Sequence, residues 1–227
     1  KLFIFDCGER AEEVHQKRVD PSKDNMLKIT NDGKMCALDM RLVDPTVEDN
    51  PDSKVNMAVN NIFNKWEETK DDSLTQVVFL DRSTPSKGFN LYDDIKSKLI
   101  ALGVPEEEIK FIHDAKNDKE KVKLFEDVNE GRVRILIGST EKMGAGTNIQ
   151  KKLCALHHID VPWRPSDIEQ REGRILRQGN DCKEVEIFRY ATEGTFDSYS
   201  WQTIEYKQKF ISQVMTNKPL GRSIDDV

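Results

Sequence analysis

Closely spaced cysteines and long apolar runs, which assign many chains to a structural class, are both lacking in this sequence of 227 residues. The few cysteines lie far apart, with no CxxC pair among them: Cys7, Cys36, Cys154 and Cys182. This spacing argues against a disulfide framework or a cysteine-bound metal, and it is typical of reduced thiols in a cytoplasmic protein. No run of eighteen apolar residues occurs either, so we expect no segment to cross a membrane.

Basic residues are also fewer than acidic ones. The chain carries 35 lysines and arginines against 41 acidic residues, a formal net charge of −6. This balance argues against an ordinary nucleic-acid-binding protein, because such proteins are usually basic. A local track of phosphate-binding groups remains compatible with it. The chain begins at Lys1 without a basic and then apolar leader, so we expect an excised piece with no targeting signal.

Two motifs with which ATPases hold nucleotide and metal are missing as well. No GxxxxGK(S/T) loop is present to cradle phosphates, and no DExH-type acidic cluster ends a strand to hold Mg²⁺. We therefore expect that this chain alone does not hydrolyse ATP.

What the sequence does contain is an alternation of strand and helix patterns. Apolar runs typical of buried strands occupy residues 76–80, 109–113, 133–137, 155–160 and 185–191. Helical patterns occupy residues 54–70, 90–102, 118–128, 163–180 and 195–215. This alternation predicts an α/β fold with a doubly wound parallel sheet and helices on both faces. In the last helix, Thr195 is the predicted N-cap, and Phe196, Ile204, Ile211 and Met215 are predicted to face the core.

The strand at 133–137 runs into a loop of small residues that includes Ser139, Thr140, Gly144, Gly146 and Asn148. Loops at the carboxyl ends of parallel strands are where α/β sheets bind ligands, because the backbone can approach a phosphate closely there.

The stretch 163–180, WRPSDIEQREGRILRQGN, is the second conspicuous motif. Gln170, Arg174 and Arg177 have the spacing i, i+4 and i+7, which predicts one helical face. Pro165 with Ser166 or Asp167 predicts the helix start, and Gly179 its end. An amide and two guanidiniums suit polyphosphate oxygens, although solvated arginines on an ordinary surface helix would have the same spacing.

Together, the loop and the helix resemble motifs five and six of superfamily 2 helicases, specifically the Swi/Snf-like branch. The loop is similar to S-T-x-x-x-G-x-G-x-N through Ser139, Thr140, Gly144, Gly146 and Asn148. The helix is similar to W-x-P…Q-x-x-x-R-x-x-R-x-G through Trp163, Pro165, Gln170, Arg174, Arg177 and Gly179. Asn180 and Thr147 depart from the pattern of the branch, but neither alters the arginines.

The resemblance implies a RecA-like second motor lobe of a DNA-dependent ATPase. It implies Arg177 as the arginine finger, Arg174 as a contact of the γ-phosphate, and Gln170 beside the phosphate edge or the attacking water. ATP and Mg²⁺ would be held mainly by a first RecA-like lobe, with which this lobe closes during turnover.

Further site residues follow from the same resemblance. It implies nucleotide contacts at Gly144, Gly146, Thr147 and Asn148. It also implies that DNA backbone is bound by Ser139 and Thr140, and by the residues after the strand at 76–80: Asp81, Arg82 and Ser83. The segments KMGAGTNIQ and EGTFDSYSWQ resemble phage and mobile-element proteins that join an adenine-specific DNA methylase region to such a helicase, which implies a possible methylase domain in the parent protein.

The patterns before residue 54 are weaker. Residues 1–5 fit a short strand or an apolar remnant of a preceding lobe, and Asn31-Asp32-Gly33 predicts a hairpin turn. Residues 43–53 contain Pro45 and Pro51 and fit an exposed linker. We therefore place an inter-lobe linker or appendage at 1–53, the RecA-like domain at 54–215 and a tail at 216–227.

Two other functions remain open from the residues alone. A RecA-like interaction or nucleic-acid-binding module without an ATP cycle would explain the acidic charge, although the retained Gln170, Arg174 and Arg177 argue against it. A dinucleotide-binding enzyme is disfavoured because the loop lacks a third glycine and a later acidic residue.

Three predictions concern side chains next to these motifs. His157 and His158 fit structural positions within a strand better than metal ligands. Asp160 is expected to bond loop amides or an arginine of the following helix, and Trp163 to pack under the loop rather than to stack on a base.

Overall fold

A parallel five-stranded sheet forms the centre of the protein. The computed structural model describes residues 2–143 and 148–215. The strands are β1 (Thr75–Phe79), β2 (Ile109–Phe111), β3 (Ile135–Gly138), β4 (Leu153–His158) and β5 (Glu186–Arg189). Their spatial order is β2-β3-β1-β4-β5, and each neighbouring pair is parallel. The predicted strands are therefore all present, each within a few residues of its expected bounds.

Helices connect the strands and cover both faces of the sheet. They are α1 (Leu2–His15), α2 (Met26–Leu38), α3 (Lys54–Glu68), α4 (Leu91–Ala101), α5 (Asp118–Asn129), α6 (Thr140–Met143), α7 (Pro165–Glu172) and α8 (Phe196–Met215). Apolar residues of α3 and α4 pack with Val78 and Ile137 on one face. Apolar residues of α5 pack with Val77 and Leu136 on the other. This alternation along each strand confirms the doubly wound α/β fold.

The central position of β1 determines where the loops meet. Leu80 N–H donates to Gly138 O at 3.0 Å, and Ile159 N–H donates to Phe79 O at 3.1 Å. The carboxyl ends of β1, β3 and β4 therefore lie side by side. The loops that follow these three strands share one edge of the sheet.

The predictions of a strand at residues 1–5 and of a turn at residues 31–33 are wrong. Residues 2–5 belong to α1, and α2 continues through Asn31-Asp32-Gly33 without a turn. Gly33 serves close packing instead, because a Cβ at this position would lie 2.2 Å from Cε2 of Phe196. The α2 helix thus packs directly against α8, a contact between distant segments that a turn-forming tripeptide does not reveal.

A buried ion pair holds the start of α3 against α8. Ser53 caps α3, and the Nζ of Lys54 lies 2.5 Å from Oδ2 of Asp197. The same Asp197 oxygen accepts the backbone N–H of Thr192, whose hydroxyl donates to Ala37 O at the end of α2. Residues on both sides of the proposed boundary at 53 are therefore in contact, and the boundary itself stays a prediction.

The far half of α8 differs from its prediction. Thr195 Oγ1 accepts the N–H of Asp197 at 3.2 Å, as expected of an N-cap. Ile204 is buried, but Ile211 is 51% and Met215 81% exposed. The predicted core face therefore ends at Ile204, and the last turns leave apolar side chains in solvent.

A polar network crosses the core through His157. Its Nδ1 lies 2.9 Å from the Tyr190 hydroxyl and its Nε2 lies 2.9 Å from Oε1 of Gln76. Gln76 in turn donates to Ile62 O, and Tyr190 accepts from Asn61. With both ring nitrogens bonded, the neutral imidazole is fully satisfied while buried.

Burial lowers the pKa of His157 to about 3. The unfolded chain binds a proton at this residue below about pH 6.5, but the folded chain does not until about pH 3, so acid favours unfolding. We predict that, between these values, wild type loses up to about 1.4 kcal/mol of stability per pH unit more than His157→Gln, which cannot titrate. Urea unfolding of both proteins at pH 7, 6 and 5 measures this difference. Parallel stability curves would contradict the assignment.

Candidate functional site

The site is organised by an arginine that the motif analysis did not single out. Helix α7 begins at Pro165, where Asp167 accepts the N–H of Arg164 at 3.2 Å, and it ends at Glu172. Ile168 and Arg171 are its buried residues, one turn apart on the face toward the sheet. Arg171 is fully buried, with its guanidinium 4.9 Å from the centre of the Phe79 ring.

The guanidinium of Arg171 connects the three loops at the carboxyl edge of the sheet. Its Nη2 lies 2.6 Å from Asp81 Oδ2, after β1, and 3.3 Å from Asp160 Oδ1, after β4. Its Nε donates to Thr140 Oγ1, after β3, at 2.7 Å. Its Nη1 donates to His158 Nδ1 at 3.1 Å. One buried cation therefore reaches every strand end that borders the site.

The two carboxylates extend this network to backbone amides. Asp160 Oδ2 accepts the N–H groups of Asp81 and Arg82, at 2.6 and 2.9 Å. Asp81 accepts both the N–H and the hydroxyl of Thr140, at 2.6 and 2.9 Å. Burial raises the pKa of Asp160, and the charge of Arg171 opposes that rise. Both expected roles of Asp160, with loop amides and with an arginine of the next helix, are thus present.

His158 completes the network on its inner side. Since Nδ1 accepts from Arg171, the remaining proton of the neutral ring lies on Nε2, which is 3.3 Å from Glu172 Oε1. Glu172 also accepts from Arg189 of β5 at 2.7 Å. Burial lowers the pKa of His158 and favours this neutral form. Both histidines therefore have the contacts of structural residues.

The predicted stripe of Gln170, Arg174 and Arg177 along one helix is wrong, because α7 ends at Glu172. After Gly173 the chain turns inward, and Ile175 becomes part of the core around β3 and β4. Arg174 follows this turn and is only 7% exposed, so it is not on the open face that the spacing predicted. Gln170 stays exposed on α7, and Arg177 is exposed beyond its end.

Arg177 nevertheless brings the two motifs together. Its Nη1 donates to Asn148 Oδ1 at 3.0 Å, across the space between the loop and the segment after α7. Burial lowers the pKa of Arg174, and the nearby charge of Arg177 lowers it further. The other predicted nucleotide contacts, Gly144, Gly146 and Thr147, lie outside the described residues.

Asn180, the departure from the family pattern, has a structural function. Its Nδ2 donates to Leu153 O at 2.8 Å and to Ile175 O at 3.1 Å, and its Oδ1 accepts the N–H of Cys182. Through these hydrogen bonds, the Asn180 side chain fixes the end of residues 173–180, the arginine segment, to the start of β4.

Most of the predicted DNA contacts make hydrogen bonds within the protein. Ser139 is buried and accepts the N–H of Lys142, and Ser83 accepts the N–H of Leu91 at the start of α4. Thr140 and Asp81 are bonded to each other and to Arg171, as described above. Arg82 donates to Asn31 of α2 at 2.7 Å. Among the five, Arg82 offers a cation to solvent, since it is partly exposed.

An open cavity of about 670 Å³ lies over this edge of the sheet. Its lining includes Asp81, His113, Thr140, Lys142 and Gln170. Gln170 therefore lies beside the beginning of the small-residue loop, whereas Arg177 lies beside Asn148 at its end.

Trp163 does not pack under the loop as predicted. Its side chain is 69% exposed, and Lys34 Nζ lies 4.3 Å from the centre of one of its rings. The segment that leads to α7 is positioned by Pro165 and Asp167 instead, so the indole is left available to solvent.

The sequence around this site matches a known protein family. Residues 67–179 match the model of the helicase conserved C-terminal domain, a range that contains β1 to β4, α7 and both motifs. This segment is a helicase C-terminal domain.

Curated relatives of the helicase domain agree with this assignment. The chain is 34% identical over 93 residues to Defense against restriction protein B of Escherichia phage P1, and 33% identical over 92 residues to the uncharacterized ATP-dependent helicase YqhH of Bacillus subtilis. These matches cover 41% and 40% of this chain. They span only 4% and 16% of the two relatives, respectively.

Solved helicase structures share the fold. The crystal structure of the C-terminal part of the Fun30 ATPase domain aligns with 72% of this chain and 49% of its own, at 19% identity and a TM-score of 0.53. The DUF1998 helicase MrfA bound to DNA aligns with 67% of this chain and 20% of its own, at 19% identity and a TM-score of 0.50. The predicted RecA-like fold is thereby confirmed, and the family match supports a helicase C-terminal lobe.

The described part of the chain contains neither a cluster of metal ligands nor a membrane-spanning helix. Within residues 2–143 and 148–215, no group of three or more histidine, cysteine or acidic side chains could hold a metal ion. In the same part of the chain, no helix has the length and apolar character needed to cross a bilayer.

We predict that removing the Arg171 guanidinium destabilises the helicase lobe strongly. Arg171→Met keeps much of the side-chain volume but leaves Asp160 as an uncompensated buried charge, which costs about 3–5 kcal/mol of unfolding free energy. Adding Asp160→Asn should recover part of this loss, because the second substitution removes the unpaired charge. Urea unfolding measures both. Arg164→Ala, on the exposed start of the same helix, is the control and should change stability by less than about 0.5 kcal/mol. Equal stability of Arg171→Met and this control would refute the role assigned to the buried guanidinium.

Proposed function

We propose that the chain is the second motor lobe of an ATP-dependent DNA helicase or translocase. ATP and Mg²⁺ are held mainly by a first RecA-like lobe, and this lobe supplies arginines to the nucleotide and contacts to the DNA backbone. The observation that carries the proposal is the hydrogen bond between Arg177 and Asn148, which joins the two motifs within a helicase C-terminal domain.

The different exposure of Arg177, Arg174 and Gln170 suggests a different role for each. Arg177 is exposed, so closure of the two lobes brings its planar guanidinium to the transferring phosphate without a change in the core. Arg174 is the γ-phosphate contact in this proposal, and its partly desolvated charge strengthens an interaction with a phosphate. Gln170, next to Thr140 in the cavity, bonds the phosphate edge or the attacking water.

The small-residue loop after β3 carries the remaining contacts. Gly144, Gly146, Thr147 and Asn148 border the nucleotide, and Ser139 and Thr140, at the edge of the cavity, border the DNA phosphates. Asp81 acts through Thr140, whose amide and hydroxyl it fixes. Contacts of this kind position a strand without reading its sequence.

The relatives support the wider assignment. YqhH is named an ATP-dependent helicase, and the MrfA structure contains DNA. We extend ATP and DNA to this chain on that basis. Membership of the Swi/Snf-like branch, a cytoplasmic location and a methylase region in the parent protein belong to the same proposal, and the phage relative is a defence-against-restriction protein.

The test is ATP turnover by the protein in which this lobe is joined to its first lobe. Arg177→Ala is expected to reduce the turnover number about a thousandfold, the scale found for arginine fingers, whereas ATP affinity changes much less. Arg177→Lys should restore little, because an ammonium cannot reproduce a planar two-pronged contact.

The matched control is Arg132→Ala, at an exposed arginine just before β3 and therefore at the opposite edge of the sheet. The 227-residue chain alone should show no turnover above background. If Arg177→Ala hydrolyses ATP like the control, the assignment of Arg177 as the finger of a motor lobe is wrong.

A further inference from the structure

A second cavity, of about 520 Å³, lies between α2, α8 and the segment after β4. Lys34 lines it from α2, Lys207 from α8, Arg82 from the loop after β1, and Trp163 from the segment before α7. Both lysines lie outside residues 67–179, so this cavity is partly built by elements that the helicase domain does not contain.

Four cations line this cavity, and three of them, Lys34, Arg82 and Lys207, have no acidic partner among the described residues. No ion pair within the described residues involves Lys34, Arg82 or Lys207, and the hydrogen bond of Arg82 goes to the neutral amide of Asn31. Burial lowers the pKa of Lys34, and the charges of Arg82 and Lys207 lower it further. Converging cations repel one another, and a bound anion relieves this repulsion.

The carboxylates of the same cavity are already occupied. Asp197 pairs with Lys54, and Asp81 and Asp160 pair with Arg171. They do not neutralise the three cations, so the cavity keeps an uncompensated positive rim.

Aromatic side chains stand among these cations. Lys34 Nζ and Lys207 Nζ lie 4.3 and 5.7 Å from ring centres of the exposed Trp163. Tyr199, also in the lining, is exposed. A cationic groove with exposed aromatic rings is the arrangement that binds single strands, because phosphates pair with the cations and bases stack on the rings.

We propose that this cavity binds single-stranded DNA, with phosphates on Lys34, Arg82 and Lys207 and a base stacked on Trp163. Two exposed rings at one rim favour a strand over a free nucleotide, and a cavity of this size admits single bases rather than a duplex. The choice of DNA as the polymer rests on the proposed function. The site itself does not depend on ATP or on Arg177.

Tryptophan fluorescence offers a direct readout. Of the three tryptophans, Trp66 is 7% and Trp201 8% exposed, whereas Trp163 is 69% exposed. A base that stacks on Trp163 is therefore expected to quench the accessible part of the emission. The experiment titrates the 227-residue chain with a thymidine dodecamer at several salt concentrations, and it repeats the titration with a duplex of equal length and with thymidine monophosphate.

Wild type should be quenched by the dodecamer at lower concentrations than by duplex or monophosphate. The logarithm of its affinity should fall with the logarithm of salt with a slope of about −2, as expected for three phosphate contacts on a single strand. Lys34→Ala with Lys207→Ala should reduce the slope to about −0.7, and Trp163→Ala, followed by fluorescence anisotropy of a labelled dodecamer, should weaken binding about tenfold or more.

Lys123→Ala, on the exposed side of α5, removes one positive charge elsewhere and serves as the control. If these cavity variants bind the dodecamer like this control, DNA binding stands but the site is wrong. If monophosphate or duplex binds as well as the dodecamer, the assignment to a single strand is wrong. If wild type binds no DNA at all, both this site and the DNA contacts of the proposed function fail, while the Arg177 turnover test remains independent.

Discussion

The fold of the site depends on one buried cation. Arg171 gives up its hydration, and this cost is offset only because Asp81, Asp160, Thr140 and His158 surround it at hydrogen-bond distance. The carboxylates in turn hold backbone amides after β1 and β3, so that separate loops form one hydrogen-bonded unit. The position of the small-residue loop is therefore a consequence of electrostatics in the core, since the hydroxyl and the amide of Thr140 are both bonded to this unit.

This arrangement explains how a rigid base can carry an exposed arginine. The inward turn after Glu172 buries Arg174 and Ile175, and Arg177 then emerges next to Asn148. A helix that continued through residue 180 would have left Gln170, Arg174 and Arg177 on an open face, without anchoring the segment that carries the two arginines. In the proposed motor, the turn lets the core fix one end of the arginine segment while the guanidinium stays free to meet a phosphate on the other lobe.

Sequence patterns predicted the strands well, because strands buried on both faces read as continuous apolar runs whatever their neighbours are. Asp160 was also predictable, since a carboxylate at a strand end has few partners other than loop amides and the next helix. The spacing of Arg174 and Arg177 was misleading because it presumes an uninterrupted helix, whereas α7 ends at Glu172, just before Gly173. The predictions for Gly33 and Trp163 failed for a related reason. Gly33 packs against Phe196, and Trp163 is exposed beside Lys34. Both are tertiary contacts that the neighbouring residues in the sequence do not reveal. Arg171 was not predicted as a site residue. The signal that could have found it is its position three residues after Ile168, which puts both on the buried face of α7.

Amide hydrogen exchange at the strand ends tests the central role of Arg171 most directly. The amides of Asp81, Arg82 and Thr140 donate to carboxylates held by Arg171, whereas those of Leu80 and Ile159 donate to backbone carbonyls of neighbouring strands. In Arg171→Met, the last two amides report the loss of global stability, and exchange of the first three should accelerate by about tenfold or more beyond that, because a hydrogen bond to a charged group contributes about 1.5–3 kcal/mol. Equal acceleration of all five amides, or no change in any of them, would contradict the account.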